Sequence, residues 1–378
     1  MIEARELASI DAVPAAQWNA LSGTQCPFLR HEFLAALEHN GCVGGATGWT
    51  PAHLALFDAD RLIAAAPVYR KTHSWGEFVF DFSWAQAYDR NGLNYYPKLL
   101  CAVPFSPVNS ARLLLDPGLP QAQLLDQVID ALVARCAGQN LSSAHALFIG
   151  EAERAVFAGK DWLLRSDVQF HWHNAGYQDF EAYLGTFRSE KRKQIRRERR
   201  RCEEAGVRFR TIHGSELTPA ELRFTYEAHA RTFHLHGHEP YLNLACFTEI
   251  ARTLGDALMV KLALLGDEPV AAAVFMRSND VLYGRYWGAT GDFHSLHFEA
   301  CYHQGIDYCI AQGLSRFEPG TQGEHKVVRG FVPSQTWSAH YIADARFRHA
   351  IGDFLAREHT AVAAYAGEIA AHSPFRRQ

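Results

Sequence analysis

The stretch Gly320–Phe331 (GTQGEHKVVRGF) is the densest polar cluster in the second half of the chain. Glu318, Gln322, Glu324, His325, Lys326 and Arg329 fall close together near what reads as a strand end. Glu324 or His325 is the kind of group that takes a proton from an amine, and Lys326 or Arg329 the kind that holds a phosphate or carboxylate. The competing reading is a solvated loop with ordinary surface charges. Acyl transfer to an amine also needs donors for a developing oxyanion and a means of positioning both substrates. Arg285, Tyr286 and Trp287 lie between Gly284 and Gly288, glycines that would let another backbone approach a strand closely. These aromatics are either site walls or core. Glu299 and His303, four apart on a predicted helix after His297, share a face as a base with its orienting partner or as a buried structural pair. In the first half Asp81, Trp84, Tyr88, Tyr95, Tyr96 and Lys98 cluster. Aromatics with a few charges suit a cleft for a sugar, peptide or nucleotide, or a packed domain interface.

Residues 188–201 carry nine Lys/Arg against Glu190 and Glu198, a local charge of +7 in a chain whose net charge is −4. A basic patch on an otherwise acidic protein reads as an anion site, with Arg192, Arg196, Arg197 and Arg200 as its candidate contacts, or as a solvated helix without a ligand. Ile195 is its only aliphatic residue, which predicts that little of this helix enters the core. The histidine count is 20. His171 and His173 alternate on a predicted strand and so share a face, and His234, His236 and His238 end a predicted helix, but no carboxylate or cysteine completes a recognisable ligand set, so no metal is assigned. The eight cysteines include no Cys-x-x-Cys pair and read as scattered thiols.

Elements that could position these groups recur in a similar order in each half. Residues 28–39 and 119–137 have helical periodicity; 53–57, 62–69 and 77–84 read as strands, as does 144–149. Residues 95–100 are expected to leave the sheet. In the second half, 219–236 and 241–254 read as helices, followed by a meander at 258–265, 270–277 and 281–287, a helix at 295–312 and a strand at 316–319. This predicts an α/β (α+β) fold with two domains, 1–165 and 166–344. Each would hold a mixed, mainly antiparallel sheet flanked by helices. Residues 346–365 read as one more helix. No run of about 18 apolar residues suggests a membrane span, and Met1–Pro14 lacks a secretory pattern, so a cytoplasmic location is expected.

The segments PFLRHEFLAALE (27–38), HSWGEFVFDFSWAQAY (73–88), YYPKLL (95–100), VPFSPV (103–108), FHWHNAGY (170–177) and KRKQIRRERR (191–200) extend over the first half and beyond. YGRYWGAT (283–290), HFEACYHQGIDYCI (297–310) and FEPGTQGEHKVVRGF (317–331) continue the pattern. Together they resemble a GNAT-type family of predicted N-acyltransferases related to the Fem-type peptidoglycan aminoacyltransferases and described as peptidoglycan biosynthesis or recognition proteins. The resemblance implies tandem GNAT-like domains, with segment 345–378 packing back on the first, and transfer of an acyl or aminoacyl group to a small-molecule or glycopeptide amine, with cell-wall precursor metabolism as its setting. It implies acyl-CoA or aminoacyl-tRNA as donor substrate, hence tRNA as a partner, and no tightly bound cofactor. Gly320–Phe331 looks like the lysine-bearing loop of Fem-type chains, with a longer spacing to Gly330 and Phe331. In GNAT-type sheets a bulged strand offers a backbone N–H to the oxyanion, and residues 283–289 are the matching strand. One departure stands out: the coenzyme A pyrophosphate loop, Arg/Gln-x-x-Gly-x-Gly/Ala, is matched by Arg285–Ala289 but meets Thr290 where Gly or Ala belongs. A non-catalytic protein of the same fold, binding a cell-wall glycopeptide or nucleic acid, is the alternative.

Overall fold

The computed structural model describes residues 2–321 and 323–376. The chain forms two compact units, Met1–Asp167 with Gln335–Ala364 and Val168–Ser334 with Tyr365–Gln378.

In the first unit, Ile2–Leu7, His53–Asp58, Arg61–Ala66 and Leu114–Leu115 make a four-stranded antiparallel sheet. Trp49–Pro51, Val68–Lys71, Lys98–Cys101, Ser143–Leu147 and the end of Val332–Ile342 line up in a second sheet. Only the pairing of Lys98–Cys101 with Ser143–Leu147 is parallel there. Helix Gln121–Gly138 buries Leu124, Leu125, Val128, Ile129 and Leu132, the face its 3.6-residue period predicts, against both sheets.

In the second unit the strand order is Val207–His213, Leu258–Leu265, Glu268–Arg277, Val281–Ala289, Arg316–Glu318 and the end of Leu163–His173. The meander is antiparallel, whereas Val281–Ala289 and Arg316–Glu318 run parallel. Helix Pro219–Leu235 starts from a capping box in which Thr218 accepts from the Glu221 backbone N–H and the Glu221 carboxylate accepts from that of Thr218, with Pro219 in the first turn. Gly313, in the left-handed region, ends the helix before Arg316–Glu318.

Four local expectations change. Residues 77–84 are not a strand: the chain is irregular to Asp81 and then helical over Phe82–Arg90, whose buried Trp84 and Tyr88 are one turn apart. Closely spaced aromatics there imitate strand alternation. Residues 95–100 do not leave the sheet, because Lys98–Cys101 is a fully buried strand between two others. Its lysine is tolerated because carboxylates meet it. The basic helix Ser189–Glu204 is more embedded than its composition suggests, burying Ile195, Glu198 and Cys202. The last helix spans Ala345–Ala371; residues through Ala364 group with the first unit and those from Tyr365 with the second.

Candidate functional site

In the second unit, the strand Val281–Ala289 carries a bulge. Val274 faces Tyr286 while Phe275 faces Gly284, so Arg285 is an extra residue on that strand. Parallel pairing with Arg316–Glu318 covers only Val281–Tyr283. Just beyond, a cavity of about 130 Å³ is lined by Gly284–Trp287, Pro319, His297, Cys301 and Tyr302. Crowding explains the glycines. A Cβ on Gly288 would lie 1.8 Å from the Ala228 carbonyl oxygen, and one on Gly284 3.2 Å from Pro319 Cα. The Trp287 ring meets His297 edge-on at 5.5 Å, and Tyr286 packs 4.4 Å from His229.

The polar loop folds into a 3-10 turn, Glu324–Arg329. Lys326 is buried and donates to the Gly320 carbonyl at 2.8 Å; burial lowers its pKa to about 7. His325 is exposed and hydrogen-bonded to the Tyr302 hydroxyl at 2.9 Å. Partial burial, with Lys326 and Arg329 nearby, lowers its pKa below the usual histidine value. His297, which lines the cavity, is driven further down, to about 4, by burial and the adjacent cationic groups. The Glu324 carboxylate is exposed and accepts from the Tyr365 hydroxyl at 3.0 Å. Gln322 lies outside the described residues. The Arg329 guanidinium grips Glu198 of the basic helix at 2.7 and 3.2 Å instead of lining the cavity.

Glu299 and His303 lie in a π-helical turn, Glu299–His303, which alters the one-turn spacing that would have stacked them. Each turns to the basic helix. Glu299 pairs with Arg199 at 3.3 Å and His303 with Glu198 at 3.2 Å. Of the four arginines expected to hold an anion, Arg196 pairs with Glu181 at 2.5 Å. Arg197 and Arg200 are exposed and Arg192 half-buried, none with a carboxylate within ion-pair reach among the described residues. At the position of a pyrophosphate loop, the Thr290 N–H is taken by the Val270 carbonyl at 2.8 Å, and Asp292 adds an exposed carboxylate.

The first unit buries a second cluster. Lys98 Nζ donates to Ser74 Oγ at 2.9 Å, Glu77 Oε2 at 2.8 Å and Asp81 Oδ2 at 2.5 Å, with no exposure. Tyr95 donates to Asp81 at 2.6 Å and lies 3.2 Å from His145, whose Nδ1 meets that of His340 at 2.7 Å. Burial raises the Glu77 pKa to about 7, whereas Lys98 and His145 hold Asp81 well below the usual carboxylate range against its own burial. Glu77 Oε1 and Asp81 Oδ1 have no hydrogen-bond partner among the described residues. Lys71, opposite Lys98 across the strand pair, is also buried and is lowered to about 7 by burial. Trp84 packs on His340 at 4.9 Å and Tyr88 on Phe347 at 4.0 Å.

Sequence reasoning therefore named Asp81 and Lys98 but missed Glu77, His145, His340 and Lys71, and in the second unit it missed Cys301 and Tyr302 as cavity walls. For Glu77 a signal existed: it stands four residues before Asp81, in the same aromatic stretch.

The profile of the FemAB-like family, described as peptidoglycan biosynthesis/recognition, matches residues 9–377. A search of curated proteins finds no match. Among solved structures, FemX superposes with a TM-score of 0.55 at 10% identity, covering 93% of this chain and 100% of that one. L-PGS from Bacillus licheniformis gives 0.52 at 10% identity, over 86% and 96%. A conserved protein of unknown function from Bacteroides thetaiotaomicron gives 0.51 at 11%, over 90% and 100%. The fold is the mixed α/β one expected, and it is shared with FemX. No helix among the described residues is long and apolar enough to cross a membrane.

Proposed function

Because the chain belongs to the FemAB-like family, we propose that it is an N-acyltransferase, moving an acyl or aminoacyl group to an amine on a cell-wall precursor. The observation that carries this reading is the cavity at the bulged strand, where Val281–Ala289 and Arg316–Glu318 cease to pair, with Tyr302 linking it to the His325–Lys326 turn. An acyl carbon placed there would lie beside the Tyr302 hydroxyl, which is hydrogen-bonded to His325 in the turn that also carries Lys326. Lys326 in its charged form stabilises the oxyanion that develops as the amine attacks. His325 takes the amine's proton. Its pKa is depressed less severely than that of His297, so it remains the better base near neutrality. With an aminoacyl ester as donor, the acyl C–O bond breaks, its electron pair leaves on the ribose oxygen, and the proton held by His325 passes to that oxygen.

For the donor, we favour aminoacyl-tRNA over acyl-CoA. A pyrophosphate binds through unengaged backbone N–H groups at a helix start. Here Thr290 N–H is used by the sheet and Asp292 would repel the phosphates. The outward arginines of Ser189–Glu204 offer a longer basic face instead.

The pH profile tests the assignment of roles. Below its pKa, which is under 6.5, His325 is protonated and cannot accept; above about 7, Lys326 loses its charge in the free protein. The expected kcat/KM profile is a narrow bell, rising through the His325 limb and falling near pH 7. Replacing Lys326 with Arg should remove the alkaline limb. A profile that is flat from pH 5.5 to 8.5 would contradict both roles.

A further inference from the structure

We propose that Arg329 is a positioning residue: clamped to Glu198 of the basic helix, it holds the turn bearing His325 and Lys326 in its working geometry, so that the anion-binding helix and the chemistry-bearing loop form one mechanical unit. The inference rests on the acyltransferase reading for its purpose, but not for its geometry.

The guanidinium uses its forked edge on Glu198, with Nη2 at 2.7 Å from Oε1 and Nε at 3.2 Å from Oε2, while Nη1 donates to the His325 carbonyl at 2.7 Å. Its flat face lies 3.5 Å from the centroid of the Phe298 ring. Both charged partners are buried, with 3% of the Arg329 side chain and 9% of the Glu198 side chain exposed. A paired, planar guanidinium with three directed hydrogen bonds has little freedom left to meet a substrate. Glu198 is itself held by Gln194 and His303, each at 3.2 Å. Burial would raise its pKa, yet these partners and Arg329 keep it below the usual glutamate value, so it stays ionised.

The backbone at the same point is fastened independently. Tyr183 donates to the Arg329 carbonyl at 2.7 Å. Gly330 follows at φ 86°, where a Cβ would lie 1.9 Å from the Tyr183 hydroxyl oxygen. The loop is thus pinned at its C-terminal end by side chain and main chain. Between that end and Gly320, Lys326 is folded under and kept from water. Glu198 also stands between Arg197 and Arg200, so the residues proposed to receive the donor's phosphates share one rigid helical turn with the group that holds the loop.

The test reads the burial of Lys326 directly. Competitive acetylation of the full-length protein with acetic anhydride, followed by mass spectrometry of the Lys326 peptide across pH, gives the half-point of its ionisation. The parent should show a half-point near 7. Glu198→Gln removes the clamp's charge while leaving Arg329 charged, so a change at Lys326 reports its position and not the absence of a neighbouring cation. As water reaches the ammonium, the half-point should rise by about one pH unit or more toward the ordinary lysine value. Arg329→Lys keeps a charge but removes the fork and should give the same direction of shift; it carries the test if Glu198→Gln fails to fold. A half-point that stays near 7 in a folded variant overturns the clamp. Labelling needs no turnover. A shifted Lys326 in a protein inactive toward every donor would keep the clamp and remove the transferase.

Discussion

Lys98 has no exposed surface, and its ammonium is surrounded by Ser74, Glu77 and Asp81. Removing one partner from a buried ionic cluster leaves the others charged without compensation, which costs about 3–5 kcal/mol. Lys98→Met should therefore lower unfolding stability by about that amount in urea titrations at pH 7.5. Adding Asp81→Asn should recover part of the loss. A single variant as stable as the parent would mean that the carboxylates are not ionised as described. This cluster also shows where sequence reading stops. Asp81 and Lys98 stand out as charges among aromatics, but His145 joins them only because Ser143–Leu147 pairs in register with Lys98–Cys101 on one side and places His145 opposite His340 on the other. Nothing local in the sequence encodes a contact between residues 145 and 340. It depends on strand order, which the hydrophobic pattern leaves open.

The elements are most legible where one periodicity rules alone. Gln121–Gly138 reads directly from its apolar stripe, and the meander of the second unit from short apolar runs broken by Gly266–Asp267 and Ser278–Asp280. Phe82–Arg90 is misread because crowded aromatics fit either period. The basic helix is legible as a helix but not in its orientation: its composition says solvated, while Glu198 faces inward to meet Arg329 and His303. Its remaining outward charge supports a specific expectation. Arg196→Gln, Arg197→Gln and Arg200→Gln combined should weaken binding of tRNA and flatten its dependence on salt. Every phosphate that these arginines no longer neutralise reduces the slope of log K against log salt by about 0.7–0.9. Filter binding across a range of salt concentrations measures this. An unchanged slope would make this face a solvated surface and would return acyl-CoA to consideration.

At the scale of the whole molecule, residues 9–377 carry the family match, both units contain buried ionisable clusters, and the second shows a bulged strand beside a cavity at the point where a parallel pair parts. The tandem organisation is readable from the repeated order of elements and from the resemblance; the cavity walls are not, because Cys301 and Tyr302 reach it from a helix containing a π-turn that no periodicity announces. On the proposed reading, acyl transfer depends on Lys326, in the turn that Tyr302 links to this cavity. The most direct measurement is the mass of a peptidoglycan-precursor acceptor after incubation with the protein and a pool of aminoacyl-tRNAs, comparing the parent with Lys326→Met. The parent should form an amide-linked aminoacyl adduct, and the variant should form it at least about 100-fold more slowly, the scale of removing one oxyanion-stabilising group. An adduct formed equally fast by a folded Lys326→Met protein would contradict that dependence on Lys326.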